Sequence, residues 1–163
     1  MSREGERRVS QRVVIRADDL SGAPVQALIA RHLAGMHETS PAESVHALDI
    51  DKLKDPAVTF WSAWIGDDIA SCGALKALDA ERGEIKSMRV ADAYLGQGVG
   101  RAMLDHILTE ARARCMTSLW LETGSAAAFA PALTLYESAG FTRCRPFEGY
   151  TEDPFSVFMM RAV

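Results

Sequence analysis

The amino-acid sequence predicts a single α/β domain, spanning residues 1–163, around a mixed, mostly antiparallel sheet flanked by helices. Ala57 to Val90 reads as three consecutive strands separated by tight turns, which is an antiparallel meander. Glu84 to Glu122 reads as strand, helix, strand, a unit whose two strands lie parallel. With 48% hydrophobic and 25% charged residues, the 163-residue chain can bury one sizeable core.

The elements follow from local pattern. Residues 1–11 are polar and arginine-rich and read as a flexible N-terminal extension, after which "RVVIR" from Arg12 alternates as a first strand. The next stretch, "DDLSGAPVQALIARHLAGM", carries a helical stripe of Val25, Leu28, Ile29 and Leu33 and ends at Met36. From His37 to Leu53 the chain is polar and interrupted by Pro41, which reads as a loop and a short helix. "AVTFWSAWI" and "IASCGALKA" flank "GDD" as a hairpin, and "LDAERGE" turns the chain into "EIKSMRV". Trp61 and Trp64, three residues apart, should face opposite sides of their strand. Later, "SLWLE" is a short buried strand and "AFAPALTLYESAGF" a helix with Pro131 in its first turn and Gly140 in the left-handed position after its end. "FSVFMMRAV" closes the sheet.

Charge and composition exclude several classes. Eighteen Lys plus Arg against 22 Asp plus Glu give a net charge of −4, which supplies no basic field for nucleic acid. No apolar run has the length of a secretion signal or a membrane span, and Cys72, Cys115 and Cys144 form no CxxC pair. The cysteines read as small core residues in a reducing cytoplasm. His32, His37, His46 and His106 lack metal-ligand spacing, and His32 and His106 read as surface positions on helices, so no metal is assigned. Asp49 and Asp51, alternating at a short helix, read as solvated.

The chemistry concentrates in "VADAYLGQGVGRAMLDHIL" from Val90 to Leu108. Gly96, Gly98 and Gly100 precede a helix whose apolar face is Val99, Met103, Leu104, Ile107, Leu108 and Ala111. The first turn of such a helix leaves amide N–H groups aimed forward at the positive end of the dipole, an arrangement suited to phosphate. No Lys follows as a P-loop requires, and the third Rossmann position is Arg101, so both of those motifs fit poorly. A plain strand-to-helix turn remains an alternative for the loop taken alone.

Taken together with the element order, these residues resemble the GNAT superfamily of acetyl-CoA-dependent N-acetyltransferases. Leu95-Gly96-Gln97-Gly98-Val99-Gly100 is similar to its [Q/R]xxGx[G/A] signature, and Leu135-Tyr136-Glu137-Ser138-Ala139-Gly140-Phe141 is similar to its second signature. Leu95 replaces the usual Gln or Arg, and Phe129 stands where an Asn is common.

The resemblance implies a splayed parallel strand pair at the acetyl-CoA site. Phosphate contacts would come from the amides of Leu95, Gly96, Gln97, Gly98, Val99 and Gly100, extended by Arg101 and Ala102, and the pantetheine arm would lie along the backbone of Met88 and Val90. It also implies that the Met88 N–H steadies the oxyanion, that Glu84 is the general base and that Tyr136 is the general acid. Glu84 and Met88 would share a strand face if no bulge intervenes; a solvated or Lys-paired strand carboxylate is an equal alternative for Glu84, and a core-packed helix tyrosine with its hydroxyl at the surface is the less favoured alternative for Tyr136. The loops "MHETSP" and "RCRPFEGYTED" fall where the acceptor site would be built, with Glu38 to attract an amine and Arg89, Arg145 or Tyr150 to hold a carboxylate. The implied reaction moves acetyl from acetyl-CoA to a primary amine, a small-molecule acceptor being favoured over a protein Lys or N-terminus. A non-catalytic acyl-CoA-binding module and a Rossmann-type nucleotide binder are the other readings. Homodimers are common in the resembled family, and the sequence locates no interface.

Overall fold

The period-two runs pair in the middle of the sheet, and the helical stripes cover its two faces. The computed structural model describes residues 12–45 and 49–163; the expected extension over residues 1–11 and His46 lie outside the described residues. In chain order the elements are β1 (Val14–Ala17), α1 (Ala23–Thr39), α2 (Ile50–Leu53), β2 (Val58–Ile65), β3 (Asp68–Ala77), β4 (Arg82–Val90), α3 (Val99–Ala113), β5 (Ser118–Gly124), α4 (Ala130–Ser138), β6 (Thr142–Arg143) and β7 (Ser156–Ala162). The strands form one seven-stranded sheet in the order β1-β2-β3-β4-β5-β7-β6. Every neighbouring pair is antiparallel except β4 and β5, which run parallel because α3 carries the chain back across the sheet.

Two apolar layers hold the sheet. On one face, Met103, Leu104, Ile107 and Ala111 of α3 pack with Leu75, Ile85, Leu119 and Leu121 of the strands and with Tyr136 and Phe141. On the other, Val25, Leu28 and Ile29 of α1 and Leu53 of α2 cover Phe60, Cys72 and Ala74. Trp61 joins the first layer and Trp64 the second, so the two do lie on opposite faces. Pro131 sits in the first turn of α4, and Gly140 has φ +93 just beyond its end.

Several sequence expectations need correction. α1 continues past Met36 through Thr39, since its last turn is polar and the apolar stripe stops one turn before the helix does. Asp49 and Asp51 are exposed as expected, and Asp49 is in addition the N-cap of α2, its side chain accepting from the Lys52 N–H at 3.0 Å. Cys115 is exposed at φ +62 after α3, Cys144 is half-buried, and only Cys72 is a core residue. His32 and His106 are half-buried rather than on the surface, and the His106 ring meets the edge of Trp61 at 5.2 Å.

One irregularity shapes everything near the site. Ala74 stands opposite Lys86, yet Cys72, two residues earlier, stands opposite Arg89, so β4 carries one extra residue. Ser87 holds that bulge at φ +55, and its carbonyl accepts from the Cys72 thiol at 3.2 Å. Leu104 of α3 is fully buried in the first of the two apolar layers. Leu104→Ala should lower unfolding free energy by about 2–5 kcal/mol in urea titration, because the close-packed layer cannot collapse onto the space.

Candidate active site

The parallel ladder joins Arg82 to Ser118, Gly83 to Leu119, Glu84 to Trp120 and Ile85 to Leu121, and then stops. A bulge bends and twists its strand. With Ser87 bulged, β4 from Lys86 to Val90 has no rung to Glu122, Thr123 or Gly124 of β5. The main chain of Met88 and Val90 therefore borders a fork in the sheet.

At the far end of β4 stands the glycine turn. Gly96 and Gly98 have φ +72 and +81, left-handed values that a side chain would strain, and Gly98 is the N-cap of α3 without any side-chain cap. The first amide beyond the turn that reaches a backbone carbonyl is Ala102, whose N–H donates to Gly98 O at 3.1 Å. Leu95 is 61% exposed, so its side chain contributes little to packing there. Arg101 lies on the surface, paired with Asp105 at 3.0 Å. The Phe129 ring lies directly against Gly124 at the end of β5, where a Cβ would collide with it.

The bulge reverses one expectation about faces. Met88 packs toward Gly73 and the α3 layer, whereas Glu84 and Lys86 lie opposite Lys76 and Ala74 on the α1 side. Glu84 and Met88 therefore do not share a strand face. Glu84 is 3% exposed and is Lys-paired: its Oε2 accepts from Lys86 Nζ at 3.0 Å and from the Tyr150 hydroxyl at 2.7 Å. Lys86 also donates to the Tyr150 oxygen at 2.9 Å, which closes a triangle. Phe147 and Phe158 stack around the Tyr150 ring and roof it. Burial and the adjoining Glu84 charge hold the Tyr150 phenol above its ordinary range, so it acts as a donor.

Glu122, which the sequence reading passed over, stands one residue beyond the last parallel rung, beside Trp120 and opposite Phe158. Burial pushes its carboxyl up to about 7, with the Ser156 hydroxyl and then the Lys86 ammonium opposing and the charges of Glu84 and Asp153 reinforcing the rise. The signal was available, since Glu122 closes "SLWLE", but the face it occupies depends on where the ladder ends. Tyr136, 6% exposed on α4, is also pushed up, first by burial and then by the Glu122 charge.

Of the residues expected at an acceptor site, Tyr150 joins this cluster, Arg89 lies on the same face of β4, and Glu38 and Arg145 are exposed. Asp153 accepts from the Ser44 hydroxyl, tying the loop after α1 to the loop before β7. Arg143, Cys144, Glu152, Asp153 and Phe158 line a surface cavity of about 440 Å³ next to it. Among the described residues, no group of three or more His, Cys, Asp and Glu is placed to hold a metal ion, and no helix is long and apolar enough to cross a membrane.

A sheet that forks beside an amide-lined turn is the architecture of an acetyltransferase. The model of the Acetyltransferase (GNAT) family matches residues 25–141, and the chain belongs to that family. It is 54% identical to the uncharacterized N-acetyltransferase YsnE of Bacillus subtilis (strain 168), over 90% of this chain and 97% of that protein. It is 51% identical to the uncharacterized N-acetyltransferase YedL of Escherichia coli (strain K12), over 89% of this chain and 91% of that protein. A GNAT family acetyltransferase from Elizabethkingia anophelis, solved with acetyl-CoA bound, shares the fold with a TM-score of 0.61 at 19% identity, over 94% of this chain and 99% of that one.

The raised Glu122 carboxyl has a consequence for stability. Between pH 4.5 and 7 the folded chain keeps a proton that the unfolded chain has released, so this group's contribution falls as pH rises through that window. Glu122→Gln should therefore gain about 1–3 kcal/mol on the wild type between those limits, read from urea unfolding at each pH.

Proposed function

We propose that this acetyltransferase moves the acetyl group of acetyl-CoA to the primary amine of a small molecule by direct attack. The observation that carries the reading is the fork itself, where β4 loses its pairing with β5 beyond Ile85, with the Gly96 and Gly98 turn at the end of the same opening. The residues fit the co-substrate: the left-handed glycines wrap the turn ahead of α3, and the amides of Leu95 through Arg101 precede the Ala102 N–H that Gly98 O already takes, which suits the diphosphate. The unpaired edge of β4 at Met88 and Val90 suits an extended pantetheine arm lying as an added strand, with the Met88 N–H at the thioester carbonyl.

Acetyl transfer forms a carbon–nitrogen bond and breaks the carbon–sulfur bond. The attacking ammonium must lose a proton, and the departing thiolate must gain one. Glu122 suits the first task better than Glu84, because a carboxyl poised near neutrality can both take and hold a proton, whereas Glu84 is occupied by Lys86 and Tyr150. Glu84 becomes the group that fixes Lys86 and Tyr150 in place. Tyr136 keeps its proton at neutral pH and suits the return of one to sulfur. The Phe147 and Phe158 roof closes one side of the cluster, which favours a small acceptor over a protein segment.

Calorimetric titration with acetyl-CoA, followed by an amine panel scored by thiol release, tests the reading; absence of binding or of any acetylated amine would end it. In the wild type, kcat/KM should rise with pH through about 7. Glu122→Gln should cost about 100-fold or more in kcat/KM and erase that inflection, and Tyr136→Phe should lower kcat by about tenfold or more. Gly98→Ala, forced to φ +81, should weaken acetyl-CoA binding by about tenfold while the sheet stays folded.

A further inference from the structure

Arg89 presents a guanidinium that the described residues do not satisfy. Its side chain is only 24% exposed, yet among the described residues it donates no hydrogen bond, and its ion pair with Asp92 spans 3.7 Å, beyond hydrogen-bond reach. Asp92 is already held by Arg31 Nε at 3.2 Å. Two guanidiniums therefore share one carboxylate, and one positive charge is left without a counter-charge. A largely buried arginine is ordinarily paired, and its five donors in a planar fork match a carboxylate.

The surroundings keep this charge in place without neutralising it. Gly35 lets both arginines lie against α1, since a Cβ there would stand 3.1 Å from Arg89 Nη1 and 3.3 Å from Arg31 Nη1. His32, one turn earlier, has a buried Nδ1 with no partner. Burial, and then the Arg89 charge, lower its pKa to about 4, so it is neutral at physiological pH. The Ser87 bulge puts Arg89 on the same face of β4 as Glu84 and Lys86, the face that also holds Trp120 and Glu122. The glycine turn lies toward the other face, where Gly100 approaches the Val90 side chain and Leu135 of α4. A diphosphate held by that turn is thereby separated from Arg89 by the sheet.

We infer that Arg89, backed by Arg31 at Gly35, is the anion subsite for a carboxylate of the acceptor, so that preferred acceptors are amino carboxylates. This rests on the reading that the acceptor amine meets Glu122; the carboxylate then lies further along β4, past Lys86. The anion chemistry has one rival source on the same molecule, a phosphate of CoA, and the experiment separates the two.

A panel of α- and ω-amino acids, each matched with its own carboxamide, is assayed for acetyl transfer and titrated by calorimetry in the presence of CoA. The wild type should favour the best acid over its amide by about tenfold or more, in kcat/KM and in affinity. Arg89→Gln should bring that ratio to about one. Gly35→Ala keeps both charges and favours the helix, but displaces the guanidiniums, and should lower the same ratio without lowering Tm. A merely structural role for Arg89 would depress acid and amide alike and leave the ratio intact. Equal use of acid and amide by the wild type, or an unchanged ratio in Arg89→Gln, overturns the inference. So does a fall in acetyl-CoA affinity in Arg89→Gln with the ratio kept, which would place Arg89 on a CoA phosphate. Should no amine be acetylated although acetyl-CoA binds, the transfer reading fails, and the acid-to-amide affinity ratio still judges the subsite.

Discussion

The parallel pairing of β4 with β5 lasts four rungs and then ends, and the rest of the molecule is arranged around that interruption. A continued ladder would satisfy the backbone groups of Met88 and Val90 and leave no opening between the strands. The extra residue at Ser87 bends β4 away, and the Cys72 thiol donating to the Ser87 carbonyl helps fix the bend. The cost of a non-glycine residue at φ +55 is offset by the apolar layers clamping the same strands from both sides.

The interruption also sorts charge. One extra residue inverts which side chains of β4 share a face, so Glu84, Lys86 and Arg89 line the α1 side while Met88 turns to the α3 side. Within the low-dielectric interior these charges are not equivalent. Glu84 and Lys86 neutralise one another directly and both bind the Tyr150 hydroxyl, which makes that trio a structural pin; a buried pair of this kind is costly to break from one side. For Glu122 burial outweighs the Ser156 hydroxyl and the Lys86 charge, and the carboxyl carries the penalty as a raised pKa, the condition a proton acceptor near neutral pH requires.

Much of the architecture was legible because it is written in local periodicity. The meander, the α3 stripe from Val99 to Ala111, Pro131 in the first turn of α4 and Gly140 after it all follow from spacing along the chain. The glycine turn was legible for the same reason, since left-handed backbone at Gly96 and Gly98 excludes most other residues. Where side chains rather than backbone set the answer, the reading slipped: α1 outlasts its apolar stripe, Cys115 lies on the surface, and His32 and His106 are half-buried.

By itself the sequence determined the order of elements, the amphipathic faces and the place where bare amides gather, all of which depend on neighbours a few residues apart. Only the tertiary structure decided that a bulge lies between Glu84 and Met88, that Glu84 rather than Glu122 is the carboxyl paired with Lys86 and Tyr150, and that Arg89 lacks a close acceptor among the described residues. Those outcomes depend on register between strands distant in sequence, where a shift of one residue exchanges the two faces of the sheet and with them every partner of a buried charge.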